Sequence, residues 1–204
     1  MLRALIISLA LVLFGGVPAI AQTTEGAGRT ELTIVPGGWV SFTKPDTLPY
    51  PSFGEYIIGG SITFNWEHLG IEGELLAGLG RTQDLEFGSS ALVSEKTPPL
   101  FFDAVYLVAP LMGNRRRIVP YASAGIGETT FNRTREVGQA DTETFFSGFV
   151  GGGVKCYTSG RWGFRADYHF SAVRSEDSAP GTFTGRELRN DHRIYGALVF
   201  RLIP

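Results

Sequence analysis

Apolar and polar residues alternate along eight separate stretches of the chain. The predicted strands are 31–42, 55–66, 71–81, 100–110, 117–128, 144–157, 162–173 and 192–202. A period of two is that of a β-strand whose two faces meet different surroundings. Short turns and long polar segments connect these strands alternately. This pattern predicts an all-β fold, an eight-stranded antiparallel up-and-down transmembrane β-barrel with both chain ends on one side of the membrane.

The seventh predicted strand shows the alternation most clearly. One face carries Trp162, Phe164, Ala166, Tyr168, Phe170 and Ala172, and the other carries Arg165, Asp167, His169 and Ser171. In the first predicted strand, Leu32, Ile34, Val40 and Phe42 share a face with Pro36. Because proline cannot donate a hydrogen bond to a neighbouring strand, Pro36 predicts a bulge or bend there.

The first 21 residues resemble a cleavable secretory signal. Arg3 precedes the apolar stretch 4–14, and the small-residue triplet Ala19-Ile20-Ala21 follows it. The apolar stretch is too short for a membrane anchor, so cleavage near Gln22 is expected. The domain prediction is a signal peptide (1–21), a polar periplasmic linker (22–30) and a barrel (31–204). No later apolar run is long enough to cross a membrane as a helix.

Composition excludes several classes of function. A formal net charge of -2 and a pI near 5.9 argue against nucleic-acid binding. The single cysteine, Cys156, cannot form an intramolecular disulfide and offers no cluster of metal ligands. Neither a cofactor nor a metal is therefore expected.

The polar faces of the predicted strands place acids and bases together inside the barrel. The predicted network consists of Glu72, Glu74, Asp103, Lys155, Arg165, Asp167, His169, Arg193 and Arg201. Side chains can fill the interior of an eight-stranded barrel, so a packed network of ion pairs is expected to plug it. The alternative is a narrow gated pore that opens when these ion pairs exchange partners.

Four segments resemble a known family of membrane barrels. They are 69–74 (LGIEGE), 120–127 (PYASAGIG), 151–155 (GGGVK) and 162–168 (WGFRADY). Their order and spacing are similar to those of the OmpA/OmpX-like small outer-membrane β-barrel family, over essentially the whole chain after the signal. The resemblance implies a Gram-negative outer-membrane protein with a structural or adhesive role.

The same resemblance implies partners. These are outer-membrane lipid and lipopolysaccharide, and, during biogenesis, periplasmic chaperones and the barrel-assembly machinery. That machinery recognises a terminal aromatic residue in such proteins, whereas this chain ends Phe200-Arg201-Leu202-Ile203-Pro204. Phe200 is expected to take the place of the terminal aromatic.

Four long polar segments, 43–54, 82–98, 129–141 and 174–191, are expected to lie outside the cell. Because exposed loops commonly carry binding functions, they predict a surface-interaction role toward a host surface, a neighbouring protein or lipopolysaccharide.

Two further alternatives remain open. His169-Phe170-Ser171 resembles the His-x-Ser motif of outer-membrane lipid A deacylases, with Glu176 or Glu187 as a nearby acid. However, Ala172 and Val173 replace the Asn-Ala-Gly continuation, and alternation turns His169 and Ser171 into the lumen, so no enzymatic activity is expected. The second alternative is a soluble lipocalin-like ligand carrier, which would turn the charged face toward water.

Overall fold

The described part of the chain is built from ten β-strands. The computed structural model describes residues 29–43, 52–66, 69–87, 91–96, 99–110, 117–135, 140–158, 161–174 and 188–202. The strands are β1 (Arg29–Thr43), β2 (Phe53–Asn65), β3 (Gly70–Gly78), β4 (Thr82–Phe87), β5 (Ala91–Lys96), β6 (Pro99–Pro110), β7 (Ile118–Arg135), β8 (Ala140–Tyr157), β9 (Trp162–Arg174) and β10 (Leu188–Arg201). Within these ranges no helix is long and apolar enough to cross a membrane.

Eight of the strands close into a cylinder. Their order is β7-β6-β3-β2-β1-β10-β9-β8, and a further pairing of β7 with β8 joins the two edges. Every neighbouring pair is antiparallel. Closure gives each strand a hydrogen-bonded neighbour on both sides, as a barrel in lipid requires. The predicted all-β, eight-stranded antiparallel barrel is confirmed.

The two ends of the barrel differ in their connections. At the turn end, short connections join β2 to β3, β6 to β7 and β8 to β9, and both β1 and β10 have their outer termini there. At the loop end lie the connections from β1 to β2, from β3 to β6, from β7 to β8 and from β9 to β10.

At the loop end the structure differs from two of the predicted loops. Strands β4 and β5 form a hairpin within the segment 82–98, and β5 pairs with β7 through Glu95 and Lys96. Strands β7 and β8 stay paired through most of the segment 129–141, as far as Thr134 and Ala140. The buried side chain of Phe131 gives a physical reason, because its interior contacts favour continued pairing beyond the predicted strand end.

Only part of the predicted domain division falls on described residues. Strand β1 begins at Arg29, so the last two residues of the predicted linker 22–30 belong to the barrel wall. The predicted signal peptide (1–21) and the cleavage site near Gln22 lie outside the described residues and stay predictions. The segments 44–51 and 175–187 of the other two predicted loops also lie outside them.

A bulge in β1 reverses the alternation that the sequence predicted. The pairing register shifts between Ile34 and Gly37 against β10. As a result Ile34 is 47% exposed on the outer surface, whereas Val40 and Phe42 are completely buried. The prediction that all of them share one face was therefore wrong. Pro36, which has no N–H to donate, lies within the bulge.

The outer surface of the barrel is apolar. Exposed large apolar residues point outward from β1, β2, β3, β7, β8, β9 and β10, and they include Ile34, Ile58, Leu75, Ile126, Val150, Phe164, Ile194 and Leu198. Aromatic pairs flank this band. The ring centres of Trp162 and Phe200 are 4.8 Å apart at the turn end. Those of Trp39 and Tyr56 are 4.9 Å apart toward the loop end. Such aromatic belts are typical of the two membrane interfaces.

Candidate functional site: the charged interior of the barrel

The layer nearest the turn end is an ion pair with aromatic neighbours. The Lys155 ammonium lies 2.7 Å from Oε2 of Glu31, and the Tyr157 hydroxyl donates to Oε1 of Glu31 at 2.6 Å. The Arg201 guanidinium lies over the Tyr157 ring at 3.6 Å from its centre. The negative charge of Glu31 is thus met by one close cation and one hydroxyl donor.

The next layer is organised by Arg165. Its Nη1 donates to both oxygens of Glu72 at 2.6 and 2.8 Å, and its Nε donates to Oδ2 of Asp167 at 2.6 Å. The Tyr121 hydroxyl donates to Asp167, and the Thr63 hydroxyl donates to Glu72 at 2.9 Å. The side chains of Arg165, Glu72 and Asp167 are fully shielded from solvent. A planar guanidinium with two carboxylates is the arrangement that best compensates such burial.

The third layer is organised by Arg193. Its Nη1 lies 2.8 Å from Oδ2 of Asp103, and its Nη2 donates to Oγ of Ser171 at 2.7 Å. Its Nε lies 3.3 Å from Asp191, and Nη1 is 3.9 Å from Oε1 of Glu74. One buried cation therefore faces three carboxyl groups.

His169 lies between these two Arg layers. Its Nδ1 is 3.8 Å from Oε1 of Glu74, and its Nε2 is 3.8 Å from Oδ1 of Asp167. The ring stacks on Phe149 at 4.7 Å and meets Tyr195 edge-on at 5.6 Å. These contacts fix the plane of the imidazole and point each nitrogen toward a different carboxylate.

A layer of aromatic side chains lies in the interior above Arg193, toward the loop end. Its members are buried on five different strands and contact one another with ring-centre distances from 4.6 to 6.1 Å; they are Phe42, Phe53, Phe101, Phe131 and Phe145. Such contacts between aromatic rings are favourable when buried. The Arg193 guanidinium lies under this layer, 4.5 Å from the centre of the Phe101 ring.

Glu55, two residues from Phe53 on β2, connects the barrel to the hairpin of β4 and β5. The backbone N–H of Arg81 donates to both of its oxygens at 3.2 and 3.1 Å, and Nε2 of Gln83 donates to one at 2.8 Å. Oε1 of Gln83 in turn accepts from the Gly54 N–H at 3.1 Å. The carboxylate thereby joins the start of β2 to the segment that begins the hairpin.

Glycines on the inner face provide the space for these layers. A methyl group at Gly151 would approach the Tyr168 carbonyl oxygen to 2.4 Å and the His169 ring to 2.6 Å. At Gly127 a methyl group would lie 2.4 Å from Oδ1 of Asp103. The glycines of β7 and β8 therefore permit the close approach of the Asp103 and His169 side chains.

The structure brings the nine residues of the predicted network into the interior. Eight of them are buried: Glu72, Glu74, Asp103, Lys155, Arg165, Asp167, His169 and Arg193. The Arg201 side chain is 16% exposed at the turn end.

Four further charged residues of the described interior were not predicted, and they are Glu31, Glu55, Arg189 and Asp191. Arg189 and Asp191 lie in phase with Arg193, four and two positions away respectively, and Glu55 is in phase with Ile57. Their assignment to the interior was possible from alternation alone. Glu31 likewise alternates with the outward-facing Leu32.

The motif His169-Phe170-Ser171 faces the interior. His169 is completely buried and Ser171 is 1% exposed, with its hydroxyl oxygen accepting from Arg193. The predicted acids Glu176 and Glu187 lie outside the described residues. The carboxylates that face the imidazole are those of Glu74 and Asp167, which the sequence motif did not indicate.

A closed eight-stranded barrel with an apolar outer surface and a charged, buried interior defines a class, the small transmembrane β-barrel proteins. The sequence profile of the family described as "Outer membrane protein beta-barrel domain" matches residues 7–192. The chain belongs to this family, and the predicted resemblance to OmpA/OmpX-like barrels is confirmed. A search of curated proteins gave no match.

Solved structures show the same fold. Neisserial surface protein A has a TM-score of 0.58 at 8% identity, covering 86% of this chain and 97% of that chain. The attachment invasion locus protein Ail of Yersinia pestis has a TM-score of 0.54 at 13% identity, and the match covers 86% of this chain and 99% of that chain. OprG of Pseudomonas aeruginosa has a TM-score of 0.53 at 12% identity, and the match covers 88% of this chain and 98% of that chain. The fold and family set aside the soluble lipocalin-like carrier, which would need its polar face outside.

Replacement of Arg165 by Met should destabilise the barrel strongly. The change leaves the buried carboxylates of Glu72 and Asp167 without their cation, for which we expect a loss of about 3–5 kcal/mol in the free energy of unfolding. The measurement is a urea titration of the protein folded in phosphatidylcholine vesicles, monitored by the mobility of unboiled samples on gels. Arg161→Met, at an exposed position of the turn end, is the control. Equal midpoints for the two variants would contradict the role given to Arg165.

Proposed function

We propose that this protein is a non-conducting outer-membrane barrel without enzymatic activity, whose role is structural and is exerted through the segments at its loop end. The observation that carries the proposal is the set of buried charged and aromatic side chains inside the barrel. Buried ion pairs around Arg165 and Arg193 lie in series with the aromatic layer. An ion crossing the barrel would have to separate these pairs and then pass apolar rings that cannot replace its hydration.

The orientation of the barrel follows from its connections. In barrels of Gram-negative outer membranes, short turns face the periplasm and longer connections face outward. The loop end would then lie outside the cell, with the hairpin of β4 and β5 and the paired ends of β7 and β8. Pairing of β5 with β7 makes these strands one continuous sheet, a stiffer surface than separate loops.

The proposed partners are those that the family resemblance implies. Outer-membrane lipid and lipopolysaccharide surround the apolar band, and periplasmic chaperones and the barrel-assembly machinery act during biogenesis. A further ligand would meet the loop end. The structure of Ail was determined in complex with the heparin analogue sucrose octasulfate. In this chain acidic and basic residues are intermixed across 82–98 and 129–141. This mixture of charges does not favour a polyanionic ligand.

A lipid A deacylase is not supported by the geometry. Its nucleophile must reach an acyl chain in the membrane, whereas Ser171 faces the interior and is 1% exposed. The Ser171 hydroxyl also accepts a hydrogen bond from Arg193. A general base would have to remove a proton from a hydroxyl whose oxygen already lies beside a cation inside a closed barrel.

A narrow gated pore is the second candidate. The observation that favours it is the surplus of acids around Arg193, which lies within 3.9 Å of Asp103, Asp191 and Glu74. Exchange among these partners could move the guanidinium without leaving it unpaired. The aromatic layer would still have to open for conduction.

Electrical recording separates the two candidates. The purified barrel, reconstituted into planar lipid bilayers, should give no discrete conductance steps if ion pairs and aromatic rings plug its interior as proposed. A large porin in the same bilayers serves as the positive control for insertion and detection. Reproducible small steps that change in Arg193→Gln would contradict the closed barrel and support the pore.

Removal of the hairpin tests the role of the loop end. We expect a variant with residues 84–94 replaced by a short Gly-Ser linker to fold, since β4 pairs only with β5 among the described strands. It should bind purified lipopolysaccharide more weakly than the full chain, and the difference can be measured by titration calorimetry in detergent. A Gly-Ser replacement of residues 112–115 in a connection at the turn end is the matched control. Unchanged affinity in the hairpin variant would contradict the proposed surface.

A further inference from the structure

Three buried side chains from distant strands meet inside the barrel. Glu74 on β3, Asp103 on β6 and His169 on β9 each offer one ligand atom, and these atoms lie within 4.8 Å of one another. Each of these residues is at most 2% exposed. These three residues form the Glu74 cluster.

In each carboxylate of the cluster, one oxygen accepts a hydrogen bond from a neighbouring side chain and the other oxygen accepts none from any described residue. The Tyr195 hydroxyl donates to Oε2 of Glu74 at 2.5 Å, and Nη1 of Arg193 donates to Oδ2 of Asp103 at 2.8 Å. Within the described structure, Oε1 of Glu74 and Oδ1 of Asp103 are buried and accept no hydrogen bond. This is the arrangement of carboxylates that bind a metal, where outer donors orient the ligand and leave the other oxygen for the ion.

The imidazole is oriented in a compatible way. Nδ1 of His169 faces Oε1 of Glu74 at 3.8 Å, and Nε2 lies on the side of Asp167, also at 3.8 Å. A histidine that binds a metal through one nitrogen commonly directs its other nitrogen to a carboxylate. Asp167 occupies that position, and Arg165 in turn holds Asp167.

Charge gives an independent reason for a cation here. The buried carboxyl groups of the described interior are those of Glu31, Glu55, Glu72, Glu74, Asp103, Asp167 and Asp191, whereas the buried cations are Lys155, Arg165, Arg189 and Arg193. The half-buried Arg201 adds one positive charge near Glu31. The deficit of positive charge is local to Arg193, which faces three acids, and uncompensated buried charge is costly.

We infer that the Glu74 cluster binds one divalent transition-metal ion, through Oε1 of Glu74, Oδ1 of Asp103 and Nδ1 of His169. One imidazole and two carboxylates suit Zn²⁺, Co²⁺ or Fe²⁺, whereas Mg²⁺ and Ca²⁺ prefer oxygen ligands alone. Bonds of about 2.0–2.2 Å would draw the ligand atoms closer together than they now lie. The guanidinium of Arg193 would remain outside the ligand shell, on the second oxygen of Asp103.

Metal analysis of the folded barrel tests the inference. The full chain is folded into detergent with Zn²⁺ present, because the cluster is buried in the closed barrel, and unbound ion is then removed by gel filtration. Mass spectrometry should find about one Zn²⁺ per chain. Glu74→Gln and His169→Gln should each lower the affinity by about tenfold or more. Glu55→Gln, which changes a buried carboxylate outside the cluster, should leave the Zn²⁺ content unchanged.

Two further measurements make the outcome decisive. Unboiled mobility on gels shows which variants have folded, and only folded variants are compared. Protein loaded with Co²⁺ should show the visible absorption bands of a bound ion of low coordination number, and these bands should vanish in Glu74→Gln. Zn²⁺ at well below one per chain, or equal Zn²⁺ content in Glu74→Gln and Glu55→Gln, would mean an adventitious ion only and would overturn the inference.

Discussion

The fold depends on one constraint, which is that a strand in hydrocarbon must satisfy its backbone through neighbouring strands and keep its charged side chains away from lipid. Closure of β7 on β8 meets the first requirement. Alternation meets the second, because it turns every second side chain inward. In an eight-stranded cylinder the inward side chains are close enough to touch, so the charged residues must form contacts with one another. The ion pair between Arg165 and Glu72, at 2.6 Å, is a direct consequence.

The interior is ordered along the barrel axis by this requirement. Charged layers around Glu31, Arg165 and Arg193 occupy the part toward the turn end, and aromatic rings occupy the part toward the loop end. Within the charged part, compensation is good around Arg165 and poorer around Arg193. The proposed closed barrel depends on the well-compensated charges around Arg165 and on the aromatic layer. The proposed metal site depends on the poorer compensation around Arg193.

Much of the barrel could be predicted because alternation is a local property of the chain. Strands β3, β8 and β9 keep a strict period of two, and Glu72, Lys155 and Arg165 are buried on their inner faces. The bulge in β1 was anticipated at Pro36, but its effect on the following residues was not. One extra residue turned Val40 and Phe42 inward, and a register shift of that kind depends on pairing with β10 and β2.

The site itself could be predicted only as a set of inward residues. Glu74, Asp103 and His169 are far apart in sequence, and their meeting depends on the relative stagger of strands across the barrel. Alternation gives the face of each side chain and carries no information about its height along the axis. The hairpin of β4 and β5 was missed for a related reason, since its pairing with β7 is made between distant segments.

Adjacent leucines in β3 provide the most direct test of the central claim, that alternation separates a lipid-facing wall from a closed interior. Leu75 is 50% exposed on the outer surface, and Leu76 is completely buried inside. With methyl-labelled protein in lipid nanodiscs, nuclear Overhauser effects to lipid acyl chains can be measured for each residue. The account predicts strong transfer to the Leu75 methyl groups and none to those of Leu76. Equal transfer to both, or transfer to Leu76 alone, would contradict it.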